Sequence, residues 1–321
     1  ACLVVGLGAR DTNRVESADV KIVIAGGTGA LGRRVAADLG DRGCDVVILT
    51  RSPRADVPHR QVVWDGVAVG EWAGELRGAV VINLAGELVD RPPTAANVEL
   101  LTRSRTAPTA ALAKAAAGLD DPPPVWLQAS TLAIYGDGGE AVLDETAPPA
   151  DGPPQMAGVA TAWEAAAAGA PAGRQVVLRA APVFDRDTPA LNRLTGITRW
   201  GLGGRVGSGR QWVSWLHIDD FLAIVRRVLD DDGLSGVVHA VSPNPVRNAE
   251  LMRALRTVLR RPPAPPTPAP LVRMGAVLLR TDPALALTGR RCVPRRLTEA
   301  GFEFAHPLLP PALHDLLDSR A

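Results

Sequence analysis

The chain has 321 residues, and its 35 basic and 34 acidic side chains give a formal net charge of +1. This balance lacks the basic excess of a nucleic-acid-binding surface, and no apolar run reaches the ~18 residues of a membrane span. The three cysteines, Cys2, Cys44 and Cys292, are far apart. Their spacing excludes a disulfide framework and a CxxC zinc site, so we predict a cytoplasmic protein without a structural metal.

Strand-like apolar runs alternate with helix-like runs from residue 20 onward. The strand-like runs show no polar alternation, which is typical of strands that are buried on both faces of a parallel sheet. The pattern therefore predicts an α/β protein with a Rossmann-type, doubly wound parallel sheet. The predicted strands are Val20–Ala25, Asp45–Thr50, Ala79–Ala85, Val125–Ala129, Gln175–Ala180 and a returning Val237–Val241, and the predicted helices are Ala30–Leu39, Ala107–Ala117, Ala160–Ala168 and Phe221–Leu229.

The regular alternation of strand-like and helix-like runs changes after Phe184, which suggests two domains. Residues 20–184 are predicted to form a nucleotide-binding Rossmann domain. Residues 185–321 are predicted to form a smaller, mixed C-terminal domain that binds substrate and returns some segments to the sheet. Residues 1–19 contain a short apolar run without a basic segment or a clear cleavage site, so we expect a disordered leader or a tag rather than a signal peptide.

A glycine-rich segment follows the first predicted strand and opens the first predicted helix. Its spacing is Gly26-x-x-Gly29-x-x-Gly32, and Thr28, Ala30 and Leu31 fill the intervening positions. Glycine permits a sharp turn and a close approach of the backbone to a pyrophosphate, and the helix amides then meet its negative charge. Because the segment lies between a strand and a helix, it predicts a dinucleotide-binding loop rather than a plain turn.

Arginine stands where the second strand ends, in the segment Thr50-Arg51-Ser52-Pro53-Arg54. A fold that selects NAD(H) usually places an acid here for the ribose diol, whereas a guanidinium suits the 2′-phosphate of NADP(H). With no acid in this segment to compete, Arg51 and Arg54 predict NADP(H) as the cofactor. Arg33 is a further candidate for this pocket, and Arg34 is expected on a solvated helix face.

Two other strand ends contribute candidate cofactor contacts. Asp65 follows a third strand, which is expected between Asp45–Thr50 and Ala79–Ala85, and its carboxylate is placed to accept from the adenine amino group. Ala85 and Gly86 follow the fourth strand, where small residues fit beneath the nicotinamide ribose.

Longer segments of the chain carry a family resemblance. They include GGTGALG, INLAGE, STLAIYGD, GLGGRVGSGRQWVSWLHIDD and GRRCVPRRLTEAGFEF. From about Val20 to Leu317 the chain resembles the extended short-chain dehydrogenase/reductase superfamily, in particular its NAD-dependent-epimerase-like branch with a C-terminal domain of unknown function. The resemblance implies a Rossmann fold, NADP(H) and a small-molecule substrate in a cleft against the C-terminal domain, but it implies no defined substrate.

The usual catalytic pair of that superfamily is absent from this chain. Its members normally use Tyr-x-x-x-Lys, in which the lysine charge lowers the pKa of the tyrosine so that the phenol can exchange a proton. The window Pro148–Ala168 contains neither residue type. The resemblance places Gln155 and Met156 near the tyrosine position and Gly158 or Val159 near the lysine position, and none of these is a general acid.

Three hydroxyl residues remain as catalytic candidates near the end of the fifth strand. The resemblance favours Ser130 as the substrate-facing hydroxyl, with Thr131 beside it. Tyr135 follows in the next loop. Without a lysine, its phenol is expected to stay protonated, so it either donates a hydrogen bond to substrate or simply packs.

Charged residues elsewhere suggest substrate contacts. Glu87 follows the fourth strand, Arg105 lies in a segment expected to open a helix, and Arg210 in GSGRQW suits a carboxylate or phosphate. His217, in WLHIDD, is expected to lie at a strand edge before a helix that Asp219 or Asp220 caps.

Two hypotheses about function follow from these residues. The first is an NADP(H)-dependent oxidoreductase or epimerase that acts on an unknown small molecule with atypical catalytic residues. The second is a non-redox protein of the same fold, either a cyclase or dehydratase or a cofactor-sensing binding module. No nucleic-acid or membrane partner is expected, and a homodimer is possible.

Overall fold

The computed structural model describes residues 20–318, so the predicted leader lies outside the described residues. The strands are β1 (Lys21–Ala25), β2 (Asp45–Thr50), β3 (Arg60–Val63), β4 (Val80–Asn83), β5 (Val125–Thr131), β6 (Val142–Leu143), β7 (Arg174–Ala180), β8 (Val183–Phe184), β9 (Trp212–Val213), β10 (Leu216–His217), β11 (Gly236–Ala240), β12 (Val246–Arg247) and β13 (Arg291–Cys292).

The helices lie between and after these strands. They are α1 (Ala30–Asp41), α2 (Ala95–Ala117), α3 (Val159–Ala167), α4 (Pro189–Arg199), α5 (Ile218–Asp230), α6 (Asn248–Val258), α7 (Ala269–Leu278), α8 (Ala284–Leu287), α9 (Arg295–Glu299) and α10 (Leu309–Leu317). Among residues 20–318, no helix combines the length and the apolar character that crossing a membrane requires.

Seven parallel strands form one sheet in the order β3-β2-β1-β4-β5-β7-β11. The predicted doubly wound parallel sheet is therefore confirmed, including the returning strand β11. The chain runs outward from β1 to β3 and then crosses to β4, so the strand order reverses between β1 and β4. Ligands of such sheets bind outside the carboxyl ends of the strands at this reversal.

Two apolar cores cover the two faces of the sheet. Ile22 and Ile24 of β1 enter one core, together with residues of α1 and α5. Val23 and Ala25 enter the other core, together with residues of α2. Consecutive strand residues point to opposite faces, so uninterrupted apolar strands fill both cores.

Helix α2 is longer than the sequence pattern predicts. It begins at Ala95 rather than at Ala107 or in the segment around Arg105, and Thr94 caps it by accepting a hydrogen bond from the Asn97 N–H at 3.3 Å. Pro108 lies buried inside the helix. Tertiary packing thus overrides the local preference of proline for a helix start.

Candidate cofactor and substrate site

The turn after β1 is crowded by backbone at two glycines of the Gly26-x-x-Gly29-x-x-Gly32 spacing and much less at the third. Gly26 has a φ of 80°, and a Cβ there would lie 2.8 Å from the Leu84 backbone. A Cβ on Gly32 would overlap the Gly26 carbonyl oxygen, so the fold itself requires both of these glycines. A Cβ on Gly29 would meet only that oxygen, at 3.3 Å.

No side chain caps α1, and its first turn carries no acid. The amides of a first helical turn lack intrahelical partners and favour an anion. The open turn therefore fits the pyrophosphate of a dinucleotide. The other predicted residues of this loop are Thr28, Ala30 and Leu31.

The end of β2 carries both of the predicted arginines, but each has an acidic neighbour. Arg51 Nη2 lies 3.4 Å from Glu87 Oε1. Arg54 forms two bonds to Asp56, at 2.9 and 3.0 Å, and Arg33 lies 3.5 Å from the same carboxylate. The expectation that no acid competes for these guanidinium groups is therefore wrong, because Asp56 and Glu87 lie outside the segment Thr50–Arg54 but fold against it. Three arginines and two carboxylates therefore meet at the end of β2.

Arg34 does not lie on a purely solvated face as expected. Its Nε is 3.1 Å from Oδ2 of Asp185, whose side chain is buried. Arg34 therefore ties α1 to the segment after β8.

The ends of β3 and β4 place the remaining cofactor candidates at the same edge of the sheet. Asp65 is exposed, and its Oδ1 accepts hydrogen bonds from the Val67 and Ala68 amides at 2.8 Å each. These bonds lower the pKa of Asp65. The Ala85 N–H donates to Oδ1 of buried Asn83 at 3.2 Å, which shapes the loop that leads to Gly86.

The buried side chain of Arg105 supports the loop after β4. Its Nη2 donates to the Glu87 carbonyl oxygen at 2.8 Å, and its Nη1 donates to the Leu101 carbonyl oxygen at 3.2 Å. The guanidinium lies 5.1 Å from the Trp163 ring and against Gly86, and burial lowers the pKa of Arg105 to about 10. These contacts assign Arg105 to the support of the loop and give no support to a substrate contact.

The carboxylate of Glu87 lies beside the carboxyl end of β2 rather than in the lining of the cleft described below. It lies between Arg51 and Arg91, with 3.4 Å to each. A direct contact of Glu87 with substrate therefore gains no support.

The end of β5 separates Ser130 from Thr131. Ser130 is buried, and its hydroxyl donates to Glu164 Oε1 at 2.5 Å. Arg179 holds that carboxylate with two hydrogen bonds of 2.8 Å. Thr131 points the other way, as successive residues of a strand do, and lines a cleft. The structure thus places Thr131, rather than Ser130, where a substrate could reach its hydroxyl.

Tyr135 belongs to a buried hydrogen-bond network. Its hydroxyl lies 2.7 Å from His239 Nε2 and accepts from Arg179 Nη1 at 2.7 Å. His239 Nδ1 is 3.0 Å from the Val293 carbonyl oxygen, which can only accept. Nδ1 therefore carries the proton, and Nε2 accepts from the phenol. Burial raises the pKa of Tyr135 to about 12 and lowers that of His239 to about 4, so the geometry favours the packing alternative for Tyr135.

A cleft of about 100 Å³ lies between the end of β5 and the C-terminal region. Among the described residues that line it, Arg290 alone has an ionisable side chain. Its Nε donates to the Gly136 carbonyl oxygen at 2.8 Å, and its backbone N–H donates to the Trp212 carbonyl oxygen at 3.1 Å. Burial lowers the pKa of Arg290. The other lining residues include Thr131, Leu132, Ala133, Met156, Ser214, Leu285 and Thr288.

Sequence reasoning missed Arg290 and chose Arg210 instead. Arg210 is exposed and is not among the residues that line the cleft. Trp212, which does line it, has the guanidinium carbons of Arg247 at 3.8 Å and Arg291 at 4.6 Å from its ring centre. The block GRRCVP carried the only signal for Arg290, as part of the family resemblance, but nothing in its spacing points to the cleft.

Gln155 and Met156 occupy the position expected for the catalytic tyrosine. Gln155 and Met156 lie in a single wide helical turn, Pro154–Gly158, before α3. Gln155 is buried and donates to the Arg91 carbonyl oxygen at 2.6 Å, whereas Met156 lines the cleft. The position that the resemblance assigns to the tyrosine thus holds an amide and a thioether, and neither exchanges protons at neutral pH.

Two histidines and two aspartates cluster where α10 meets the start of α5. The donor atoms of His217, His306, Asp219 and Asp315 all lie within 4.8 Å of one another. His217 Nδ1 accepts from the Asp219 N–H at 3.1 Å, so the neutral ring carries its proton on Nε2, 3.2 Å from Asp315 Oδ2. The one nitrogen lone pair of this tautomer, on Nδ1, is occupied by the Asp219 N–H, so the His217 ring as it stands has no free lone pair for a metal ion. His217 itself caps α5 here, instead of Asp219 or Asp220 as expected.

Family models match most of the chain. Residues 22–239 match the NAD dependent epimerase/dehydratase family, and residues 267–316 match a domain of unknown function, DUF1731. Epimerase family protein SDR39U1 of Bos taurus is 33% identical over 303 residues, which span 93% of this chain and 100% of the relative.

Solved structures show the same similarity in three dimensions. The human epimerase family protein SDR39U1, crystallised with NADPH, superimposes with a TM-score of 0.83 at 30% identity, covering 94% of this chain and 100% of that chain. The nucleoside-diphosphate sugar epimerase of Corynebacterium glutamicum gives a TM-score of 0.76 at 28% identity, covering 94% of this chain and 59% of that chain. The chain therefore belongs to the NAD dependent epimerase/dehydratase family, with a C-terminal DUF1731 domain.

Proposed function

We propose that the chain is an NADP(H)-dependent oxidoreductase or epimerase that acts on a small anionic molecule. The observation that carries the proposal is the common edge of the sheet at which the glycine turn after β1 and the cleft after β5 both open. The human relative crystallised with NADPH supports this choice of cofactor. Residues 20–184 would hold the cofactor, and residues 185–321 would complete the substrate cleft.

The residues at this edge fit a dinucleotide with a 2′-phosphate. The open turn at Gly29 and the uncapped amides of α1 suit the pyrophosphate. Arg51 and Arg54 suit the 2′-phosphate, and Asp65 suits the adenine amino group. Ala85 and Gly86 leave room for the nicotinamide ribose. The nicotinamide ring supplies or accepts a hydride when the cofactor is bound.

Two groups in the cleft would bind and orient the substrate. The Thr131 oxygen accepts from the Ala133 N–H at 3.2 Å, which leaves its own proton to donate to a substrate carbonyl oxygen. Arg290 is fixed through its Nε and backbone N–H, so its terminal nitrogens can pair with a carboxylate or phosphate. Met156, Leu132 and Trp212 give the cleft apolar walls that exclude water.

One observation favours the second candidate, a non-redox enzyme or a cofactor-sensing binding module. No side chain that lines the cleft, among the described residues, is a proton donor tuned to neutral pH. Tyr135 is committed to His239 and Arg179, and Lys114 is the last lysine of the chain. A redox reaction would therefore take its proton from water or from the substrate.

The experiment combines cofactor titration with a search for hydride transfer. Purified protein would be titrated with NADPH and NADH, and oxidation of NADPH would then be followed by absorbance with matched carbonyl compounds that carry or lack a carboxylate or phosphate. We expect NADPH to bind and anionic compounds to react at least tenfold faster, and we expect Arg290→Met to abolish this preference.

Arg210→Met is the matched control, because Arg210 is exposed outside the cleft lining. An equal loss in both variants would contradict the role of Arg290. Tight NADPH binding without turnover of any compound would favour the binding module, and failure to bind NADPH would overturn the proposal.

A further inference from the structure

An ion pair joins the carboxyl ends of β2 and β4. Arg51 is the first residue after β2, Glu87 lies in the loop after β4, and the two side chains approach to 3.4 Å. Strand β1 lies between β4 and β2 in the sheet, so at ~4.8 Å per strand the pair spans ~10 Å. The ion pair therefore crosses the carboxyl end of β1, from which the glycine turn emerges.

Glu87 is the fixed member of this ion pair. Its backbone N–H donates to Ser104 Oγ at 3.2 Å, and its carbonyl oxygen accepts from Arg105 at 2.8 Å. Its second carboxylate oxygen lies 3.4 Å from Arg91. Arg51, in contrast, has a side chain that is 72% exposed. The backbone of Glu87 is thus fixed beside Arg51, whereas the exposed guanidinium of Arg51 is free to leave the carboxylate.

We infer that Glu87 competes with the 2′-phosphate of the cofactor for Arg51, and so tunes the selectivity between NADP(H) and NAD(H). The inference rests on the proposed function. Arg54 is already held by Asp56 through two short bonds, whereas Arg51 has one contact of 3.4 Å among the described residues. Arg51 is therefore more easily recruited than Arg54. NAD(H) has no 2′-phosphate and does not require Arg51 to leave Glu87. The competition therefore weakens the binding of NADP(H) alone.

The size of the effect follows from the exposure of the ion pair. Solvent-exposed ion pairs of this kind are weak, so removal of the Glu87 charge is expected to tighten NADPH binding about two- to fivefold. The gain is expected to shrink at high salt, because exposed charges are screened.

The test is a double-mutant cycle of cofactor affinity. NADPH and NADH would be titrated by nucleotide fluorescence into the wild type, Glu87→Gln, Arg51→Gln and the double variant. Glutamine retains the shape and the backbone contacts of Glu87. Glu99→Gln is the matched control, because Glu99 is an exposed acid on α2.

We expect Glu87→Gln to tighten the binding of NADPH but not that of NADH, and we expect this effect to disappear in the Arg51→Gln background. The control Glu99→Gln is expected to change neither affinity. An equal gain with and without Arg51 would reveal direct repulsion between Glu87 and the phosphate, and would overturn the competition. No change in NADPH affinity would overturn it as well. If the wild type binds NADPH but Glu87→Gln has no effect, only this inference fails, whereas a wild type that does not bind NADPH defeats the proposed function too.

Discussion

The phenol of Tyr135 donates a hydrogen bond to Nε2 of His239 across 2.7 Å, deep in the protein. His239 belongs to β11, at the edge of the sheet, and Tyr135 follows β5. Arg179 of β7 donates to the same phenol at 2.7 Å and to Glu164 on α3. The single tyrosine of the chain is thus part of a polar network that joins β5, β7, β11 and α3.

The low pKa of His239 predicts acid sensitivity. Its pKa is about 4 in the folded protein and ~6.5 when unfolded, so between these values the unfolded state binds a proton that the folded state does not. The contribution to stability is complete above pH 6.5 and is lost as the pH falls toward 4, by at most ~3 kcal/mol. Burial and the neighbouring His306 lower the pKa of His217, which adds in the same direction.

Denaturant unfolding at several pH values between 7.5 and 4.5 would measure this loss. We expect His239→Gln to flatten the profile and His314→Ala to leave it unchanged, because His314 has a side chain that is 53% exposed. An unaltered slope in His239→Gln would show that other groups cause the acid sensitivity.

Removal of the Tyr135 hydroxyl is expected to reduce stability and to spare the cofactor. Tyr135→Phe leaves buried donors and acceptors on Arg179 and His239 without a partner, which costs ~1–3 kcal/mol. Denaturant unfolding and NADPH titration of the same preparation would test both halves of the prediction. A loss of turnover at unchanged stability would instead make Tyr135 a proton donor.

The two hydroxyl residues at the end of β5 are expected to behave differently. Thr131→Val keeps the shape of the side chain but removes the donor in the cleft, so turnover is expected to fall roughly a hundredfold or more, as for a lost oxyanion donor. Ser130→Ala leaves Glu164 with one fewer donor and is expected to cost ~1–3 kcal/mol of stability. Kinetics and unfolding of both variants decide between them, and a larger kinetic loss in Ser130→Ala would reverse the assignment.

Substitutions in the glycine turn are expected to separate cofactor binding from folding. Gly29→Val is expected to abolish NADPH binding and to preserve the fold, because the position has an extended backbone and only one neighbour, at 3.3 Å. Gly32→Ala is expected to destabilise the protein itself, since the added Cβ overlaps the Gly26 carbonyl oxygen. Circular dichroism would measure the folding of both variants, and titration would measure their NADPH affinity. Retained NADPH binding in folded Gly29→Val would show that the segment is only a turn.

Charge reversal at Arg51 is expected to change cofactor preference. Arg51→Asp removes a charge-assisted contact worth ~1.5–3 kcal/mol, so NADPH affinity is expected to fall roughly ten- to a hundredfold. NADH affinity is expected to change much less, because an acid at this position suits the ribose diol. Equal changes in titrations with the two cofactors would exclude Arg51 as the selectivity residue.

Local patterns were sufficient to predict the parallel sheet and the glycine turn, and they placed the ends of the predicted strands to within two residues. Apolar runs such as Asp45–Thr50 bury both faces of a strand. The spacing Gly26-x-x-Gly29-x-x-Gly32 predicts a turn from a few neighbouring residues. Such features depend on neighbours in the sequence, so they can be predicted without the fold. The absence of tyrosine and lysine from Pro148–Ala168 is likewise a property of the sequence alone.

The tertiary structure alone decided which side chains meet. The pleat of β5 turns Ser130 toward Glu164 and Thr131 toward the cleft, although the two are adjacent in the sequence. Arg290 reaches that cleft from the far end of the chain, and its nearness to Thr131 exists only after the C-terminal region has packed.

The same holds for the charged side chains at the carboxyl ends of β2 and β4. Arg51 and Glu87 follow different strands, and they can meet because only β1 separates those strands in the sheet. Spacing along the sequence identifies residues that one strand or helix brings together. Contacts between elements depend on strand order and side-chain direction, which become fixed only when the two cores close on the sheet.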